Sequence, residues 1–238
     1  MFTFYVLALL VNFLGIVINL PGSLHINPLL LHFYEPHKVL FLTTIFLVMG
    51  AVARIIVFWN QILWREARWL ALYGIVGGMI GGYFIGIIPE KIIVGIFFLS
   101  GFMYLYKYFT KGAAPEKHNH YSLFISGFIT AFLQALGMQV GAIRQGYLFS
   151  RGHSLQVVQG TIAVVFLASG VATLSARLLN ESIPLRDTLS ILVLFPFMLL
   201  TMHLAKKIVY KMPKKLQDGI ILYSLIFSLL FAVPYLFV

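Results

Sequence analysis

YSLFISGFITAFLQALGMQVGAIRQGYLFSR, residues 121–151, holds an apolar run up to residue 136, a break marked by Gly137 and Gly141, and a shorter apolar stretch carrying Arg144 and ending at Arg151. The pattern predicts a helix, a break and a second helix of about ten residues, which rises about 15 Å, half the hydrocarbon core of a bilayer. A hairpin that enters the membrane and returns on the same side has that length. The same order recurs after residue 20 in PGSLHINPLLLHF, with Pro21-Gly22 and then Pro28. Non-helical backbone at membrane depth is tolerated only where protein buries it or a watery cavity receives it. Both breaks are therefore candidate functional elements.

The flanking sequence fits that setting. Hydrophobic residues make up 61% of the 238 positions and charged residues 10%, against about 25% charged in a soluble domain. Apolar segments lie near residues 2–20, 38–59, 67–86, 90–108, 121–136, 154–178, 187–206 and 215–237, eight in all. The N-terminus MFTFYVLALL has no basic n-region of the kind a cleaved signal peptide carries. There are no cysteines, so disulfides, thiol catalysis and Cys-ligated metals are excluded. The net charge of +10 reads as basic cytoplasmic loops rather than nucleic-acid binding, since no polar domain exists to carry the latter.

The polar stretch KGAAPEKHNH, residues 111–120, divides the chain into a first membrane repeat, 1–110, and a second, 121–238. Pro89, Lys91 and Gly95 recur 124 residues later as Pro213, Lys215 and Gly219, and Thr44 recurs 117 residues later as Thr161. Charge counting separates two topologies. If all eight segments cross, the basic residues outside the helices divide nine to seven. If segments one and five are re-entrant, they divide twelve to four, which the positive-inside rule prefers. The reading is an all-α polytopic membrane protein of two inverted repeats, each a re-entrant helical hairpin plus three transmembrane helices. Both termini then lie outside and the 111–120 linker is cytoplasmic.

Each short half-helix would point its N-terminus toward the midplane, where free N–H groups and the positive dipole end suit an anion. The polar groups at the breaks are Asn19, Ser23, His25, Asn27, Gln139, Arg144 and Gln145. Kinked helices whose polar groups satisfy freed backbone are the alternative. Arg144 lies seven residues before Arg151, about 10 Å deeper in a re-entrant helix. Its planar fork fits sulfonate or sulfite oxygens; in an all-crossing topology it is a loop arginine at the headgroups. Thr44 and Thr161, early in their helices, can bond an oxyanion or their own helix carbonyls. Arg54, near one helix end, reads as a snorkelling side chain. The glycine stripe from Gly74 to Gly86 reads as close helix packing, and His203 as a hydrogen-bonded structural histidine. The acidic residues all fall in loops or near helix ends, which does not support a mid-membrane proton relay. There is no HExxH and no nucleophile elbow, so no enzyme, metal or cofactor is expected.

These residues together resemble the sulfite exporter TauE/SafE family, also called the toluene sulfonate uptake permease family. The resemblance runs over nearly the whole chain: LVNFLGIVINLPGSLHINPLLLHF, HKVLFLTTIFLVMGAVARIIVF, WREARWLALYGIVGGMIGGYFIG and PEKIIVGIFFLSG in the first half, FISGFITAFLQALGMQVGAIRQGYLFSRG and VVQGTIAVVFLASGV in the second. It departs at the breaks, where the family often has three glycines and this chain has Leu20-Pro21-Gly22-Ser23 and Gly137-Met138-Gln139-Val140-Gly141. The resemblance implies secondary transport of sulfite, an organosulfonate or a related sulfur oxyanion across the cell membrane (bacterial or archaeal inner membrane). The expected partners are a small anionic substrate, membrane lipids and a second copy of the chain in a homo-oligomer. The competing class is a membrane scaffold or accessory subunit without transport activity.

Overall fold

The computed structural model describes residues 27, 30, 31, 33–96, 99, 120–138, 141–149, 151–179 and 185–209. Among them every regular element is helical: α1 (Pro36–Phe58), a 3-10 turn (Trp59–Gln61), α2 (Trp64–Ile85), α3 (His120–Phe124), a π turn (Ile125–Ile129), α4 (Thr130–Ala135), α5 (Gly141–Phe149), α6 (Leu155–Arg177), α7 (Leu185–Leu192) and α8 (Phe195–Val209). Three described helices are long and apolar enough to cross a membrane: Pro36–Gln61, Trp64–Ile85 and Leu155–Arg177. These are the expected segments near 38–59, 67–86 and 154–178. Segment one, segment eight, linker residues 111–119 and all of segment four beyond residue 96 except residue 99 lie outside the described residues.

The directions of the helices follow from their contacts. On α1 and α6, Phe58 meets Gly160, Val48 meets Gly170, and Arg177 Nη2 donates to the His37 carbonyl at 2.8 Å. The two helices are therefore antiparallel. On α2 and α6, Gly74 faces Val165 and Gly82 faces Thr173 and Ala176, so these two run parallel. Gly77 and Gly81 of α2 face Phe128, Phe132 and Ala135, so the 120–135 helix runs parallel to α2 as well.

Small residues make this close approach possible. In lipid there is little hydrophobic drive between helices, and association rests on tight packing. Gly74, Gly77, Gly78, Gly81 and Gly82 are buried, whereas Leu72, Ile75, Val76, Met79, Ile80, Tyr83 and Phe84 on the opposite face are exposed. Helix α2 thus turns small residues inward and large apolar residues toward lipid. Gly86 ends the helix, is exposed and takes no part in the stripe.

The 120–135 helix and α5 form a hairpin. Gly137, at φ 95°, closes the first arm in the left-handed conformation that glycine adopts without steric cost. Its N–H donates to the Gln134 carbonyl at 2.9 Å, and that of Met138 to the Leu133 carbonyl at 2.9 Å, which is the Schellman closure of a helix. The chain then returns along its own first arm. Leu123 near the start of that arm, Tyr147 and Leu148 near the end of α5, Leu70 early in α2 and Val158 early in α6 pack in one cluster. Both ends of the hairpin therefore lie at the same end of α2 and α6.

That end is basic and aromatic. Arg65, Arg68 and Arg151 are exposed there beside Trp59, Trp64 and Trp69, and Arg151 pairs with Glu66 at 2.6 Å. Lys206 of α8 donates to the Val57 carbonyl near the end of α1 at 2.9 Å. Arg54 sits one turn from the same end of α1. Its Nε is buried with no hydrogen-bond partner among the described residues. His203 is exposed on α8 rather than enclosed as a structural histidine.

The expected single helix over 187–206 is two helices, with a turn at Val193-Leu194. Pro196 is the cause. It has no N–H to give the Leu192 carbonyl, and its ring collides with that position.

Candidate functional site

The residues that matter most lie on the hairpin. Arg144, the fourth residue of α5, is 0% exposed. Its Cζ lies 5.0 Å from the centroid of the Phe166 ring. Phe166 is the central residue of the 23-residue α6, so the guanidinium sits about 17 Å from either end of that helix.

One arginine face is held by the first arm. Arg144 Nε donates to the Ser126 carbonyl at 3.2 Å and to Thr130 Oγ1, and Nη1 donates to Gln134 Oε1 at 2.9 Å. Thr130 Oγ1 in turn donates to the Ser126 carbonyl. The π turn explains why that carbonyl is available. The Thr130 N–H, its usual helical partner, bonds to the Gly127 and Ile125 carbonyls instead. A π turn of this kind often accompanies a functional site. Ser126, Thr130 and Gln134 recur at every fourth position, so they line one face of the arm.

The other side of the guanidinium carries an unused donor. Arg144 Nη2 is buried and has no hydrogen-bond partner among the described residues, and the same holds for Ser126 Oγ. No acidic side chain pairs with Arg144 among the described residues. A desolvated, unneutralised cation at mid-span is costly, and such groups in membrane proteins mark ion or substrate pathways. The free Nη2 donors and the Ser126 hydroxyl are the hydrogen-bond donors that an oxyanion needs.

The other expected site residues are distributed more widely. Asn27 is 2% exposed and its Oδ1 accepts from Thr43 Oγ1 at 2.7 Å. Asn27 and Arg144 are 117 residues apart, as are Thr44 and Thr161, so one offset relates both pairs. Thr44 donates to its own helix at the Leu40 carbonyl, 2.7 Å away. Thr161 Oγ1 accepts from the Leu63 N–H at 3.1 Å and so caps the start of α2. Gln145 follows Arg144 on α5 and is half-buried. Asn19, Ser23, His25 and Gln139 lie outside the described residues. Ser126, Thr130 and Gln134 were not among the expected site residues, although three polar residues at four-residue spacing in an apolar helix are a legible signal. Arg177 is the last residue of α6 and 1% exposed.

Losing the arm's grip on Arg144 has a measurable consequence. Thr130→Val combined with Gln134→Leu is expected to raise the half-saturating anion concentration about tenfold while leaving the protein folded, because the guanidinium keeps its charge but loses its orientation. Flux against anion concentration in proteoliposomes would check this, and an unchanged curve would remove both residues from a positioning role.

No curated protein and no solved structure matches the chain. The family model described as sulfite exporter TauE/SafE matches residues 4–232. With the apolar spanning helices, that match shows the chain to be a multi-pass membrane protein of the sulfite exporter TauE/SafE family, a family of sulfur-anion transporters.

Proposed function

We propose that the chain is a secondary transporter that moves sulfite, an organosulfonate or a related sulfur oxyanion outward across the cell membrane, by alternating access around Arg144. The single observation that carries this reading is a fully buried arginine at mid-span with an unpartnered Nη2. A scaffold has no use for such a group. The binding set is Arg144 and Ser126, with Thr130 and Gln134 holding the arginine. The residues of the first break, with Asn27 the described one, make the opposing half.

The antiparallel course of α1 and α6, which carry the 117-residue offset, supports two inverted repeats, as expected for a transporter with its site at the repeat interface. The gathering of Arg65, Arg68, Arg151 and Lys206 at the hairpin's open end supports a cytoplasmic assignment for that end and for the linker. Export of an anion needs no further coupling, because a negative-inside potential drives it outward with about 2.3 kcal/mol per charge per 100 mV.

Flux of sulfite, methanesulfonate and thiosulfate from loaded proteoliposomes tests the class. Flux above protein-free vesicles is the expected result, and no flux of any of the three would sink it. Tags on the termini and on the 111–120 linker test the topology: termini outside and linker inside is expected, and all three on one side would return the chain to eight crossings.

A further inference from the structure

We infer that Arg54 of α1 is a second anion-binding residue of the Arg144 site, so that one oxyanion is held between two arginines, one from each half of the chain. The inference rests on the transport reading above and adds a binding residue to its site.

The packing of α1 against α6 places Arg54. Phe58 meets Gly160 and Val48 meets Gly170. Between those contacts the antiparallel register sets Arg54 level with Val164, two residues before Phe166, and Phe166 is where the Arg144 guanidinium sits. The two residues also share a side. Arg54 stands six residues after Val48 and four before Phe58, and Phe166 stands six after Gly160 and four before Gly170. Each is therefore turned about 80° from the contact line of its own helix, with the same hand. On two antiparallel helices, equal turns of the same hand point to the same side of the pair. The opposite side faces lipid: Ile56 and Val171 are 54% and 48% exposed there. Arg54 and the Arg144–Phe166 contact thus share one side and one depth, on helices whose axes lie about 8–10 Å apart in such packing.

The ordinary uses of a basic side chain near a helix end do not fit Arg54. Helical side chains lean toward their own N-terminus, which for Arg54 is away from the basic end. Its Nε is buried without a hydrogen-bond partner among the described residues, whereas a snorkelling side chain keeps its polar head in water. Lys206 already takes the Val57 carbonyl at the end of α1 and lies 5.0 Å from the Phe58 ring centroid. No acidic side chain pairs with Arg54 among the described residues, and Glu66 is held by Arg151 at 2.6 Å. Two cations at one depth repel each other and have lost hydration, and an anion between them offsets both costs. Arg54 Nε and Arg144 Nη2 are both unused buried donors. Two guanidinium groups can bond different oxygens of one sulfonate or sulfite.

The chain has no cysteine, so one introduced thiol can be addressed without background. Full-length Arg54→Gln and Arg54→Cys in proteoliposomes would be compared with wild type for flux against methanesulfonate concentration. Both are expected to raise the half-saturating concentration about tenfold or more. Modifying the thiol of Arg54→Cys with aminoethyl methanethiosulfonate restores a positive charge and is expected to recover part of the lost affinity. The neutral methyl reagent is expected not to. Saturating methanesulfonate is expected to slow the modification. A packing or snorkelling arginine predicts neither the charge-dependent rescue nor the protection. Arg54→Lys, which keeps the charge should the other variants fold poorly, is expected to weaken binding through loss of the planar fork. Wild-type half-saturation in Arg54→Gln or Arg54→Lys would overturn the inference, as would equal recovery with both reagents and no protection. Those results leave wild-type transport intact. Absence of sulfite and methanesulfonate flux in the wild type would overturn the transport reading and this inference with it.

Discussion

Replacing Arg144 by methionine is expected to lower anion flux by on the order of a hundredfold or more while leaving the melting temperature unchanged or higher. The flux loss follows from removing a charge-assisted hydrogen bond in a desolvated place, where truncating one partner costs about 2–5 kcal/mol. The stability effect has the opposite sign because the buried cation has no counter-charge among the described residues. Replacing buried charges by apolar side chains of similar volume is often neutral or stabilising, by about 1–4 kcal/mol. The partners Arg144 leaves behind are not stranded. Thr130 Oγ1 still donates to the Ser126 carbonyl, and Gln134 is only half-buried. Arg144→Lys is expected to resemble the methionine variant in flux, since an ammonium cannot bond the arm and the substrate with separate edges of one planar group. Flux and thermal melts on the same preparations decide the matter. A methionine variant with wild-type flux would end the case for this site, and a large drop in melting temperature would show that the arginine is structural.

The long spans were legible because an apolar run of membrane length has few other uses, and α1, α2 and α6 begin and end within a few residues of where hydropathy puts them. The break at Gly137 was legible for a similar reason: glycine in an apolar helix marks a place where the backbone must turn. That Arg144 lies on a short second helix could be read from the break before it. Its partners could not. Ser126 lies 18 residues before Arg144 and Gln134 lies 10 before it, and only the register of the folded hairpin aligns both with one guanidinium. The π turn that frees the Ser126 carbonyl has no composition of its own. Arginine at a helix end, where Arg177 stands, usually turns outward to the headgroups. Instead its side chain turns inward to the His37 carbonyl, 140 residues away, and lies 5.4 Å from the Phe41 ring centroid. Pro196 is different, since the rule that interrupts the helix there is local.

Gly77→Val is expected to destabilise the protein by about 3 kcal/mol or more, at or beyond the upper end of ordinary overpacking, and to depress flux further than lost stability alone explains. A Cβ on Gly77 would collide with the Phe128 carbonyl and approach Phe132 N to 3.1 Å. These are backbone atoms, which have no rotamer to retreat into, so α2 and the 120–135 helix must separate. Glycine to alanine in a helix interior ordinarily gains about 1 kcal/mol. Gly77→Ala is expected to lose stability in spite of that gain. Gly95, whose Cβ would meet nothing within 4 Å, is the control, and Gly95→Ala is expected to be neutral or slightly stabilising. The effect on flux comes from where the collision falls. Phe128 lies in the π turn between Ser126 and Thr130, so pushing it away from α2 moves the residues that aim Arg144. At a temperature where Gly77→Ala and wild type are both fully folded, the variant should therefore still transport more slowly. Equal flux per folded molecule would separate helix packing from the site, and a wild-type melting temperature for Gly77→Val would refute the close approach of the two helices.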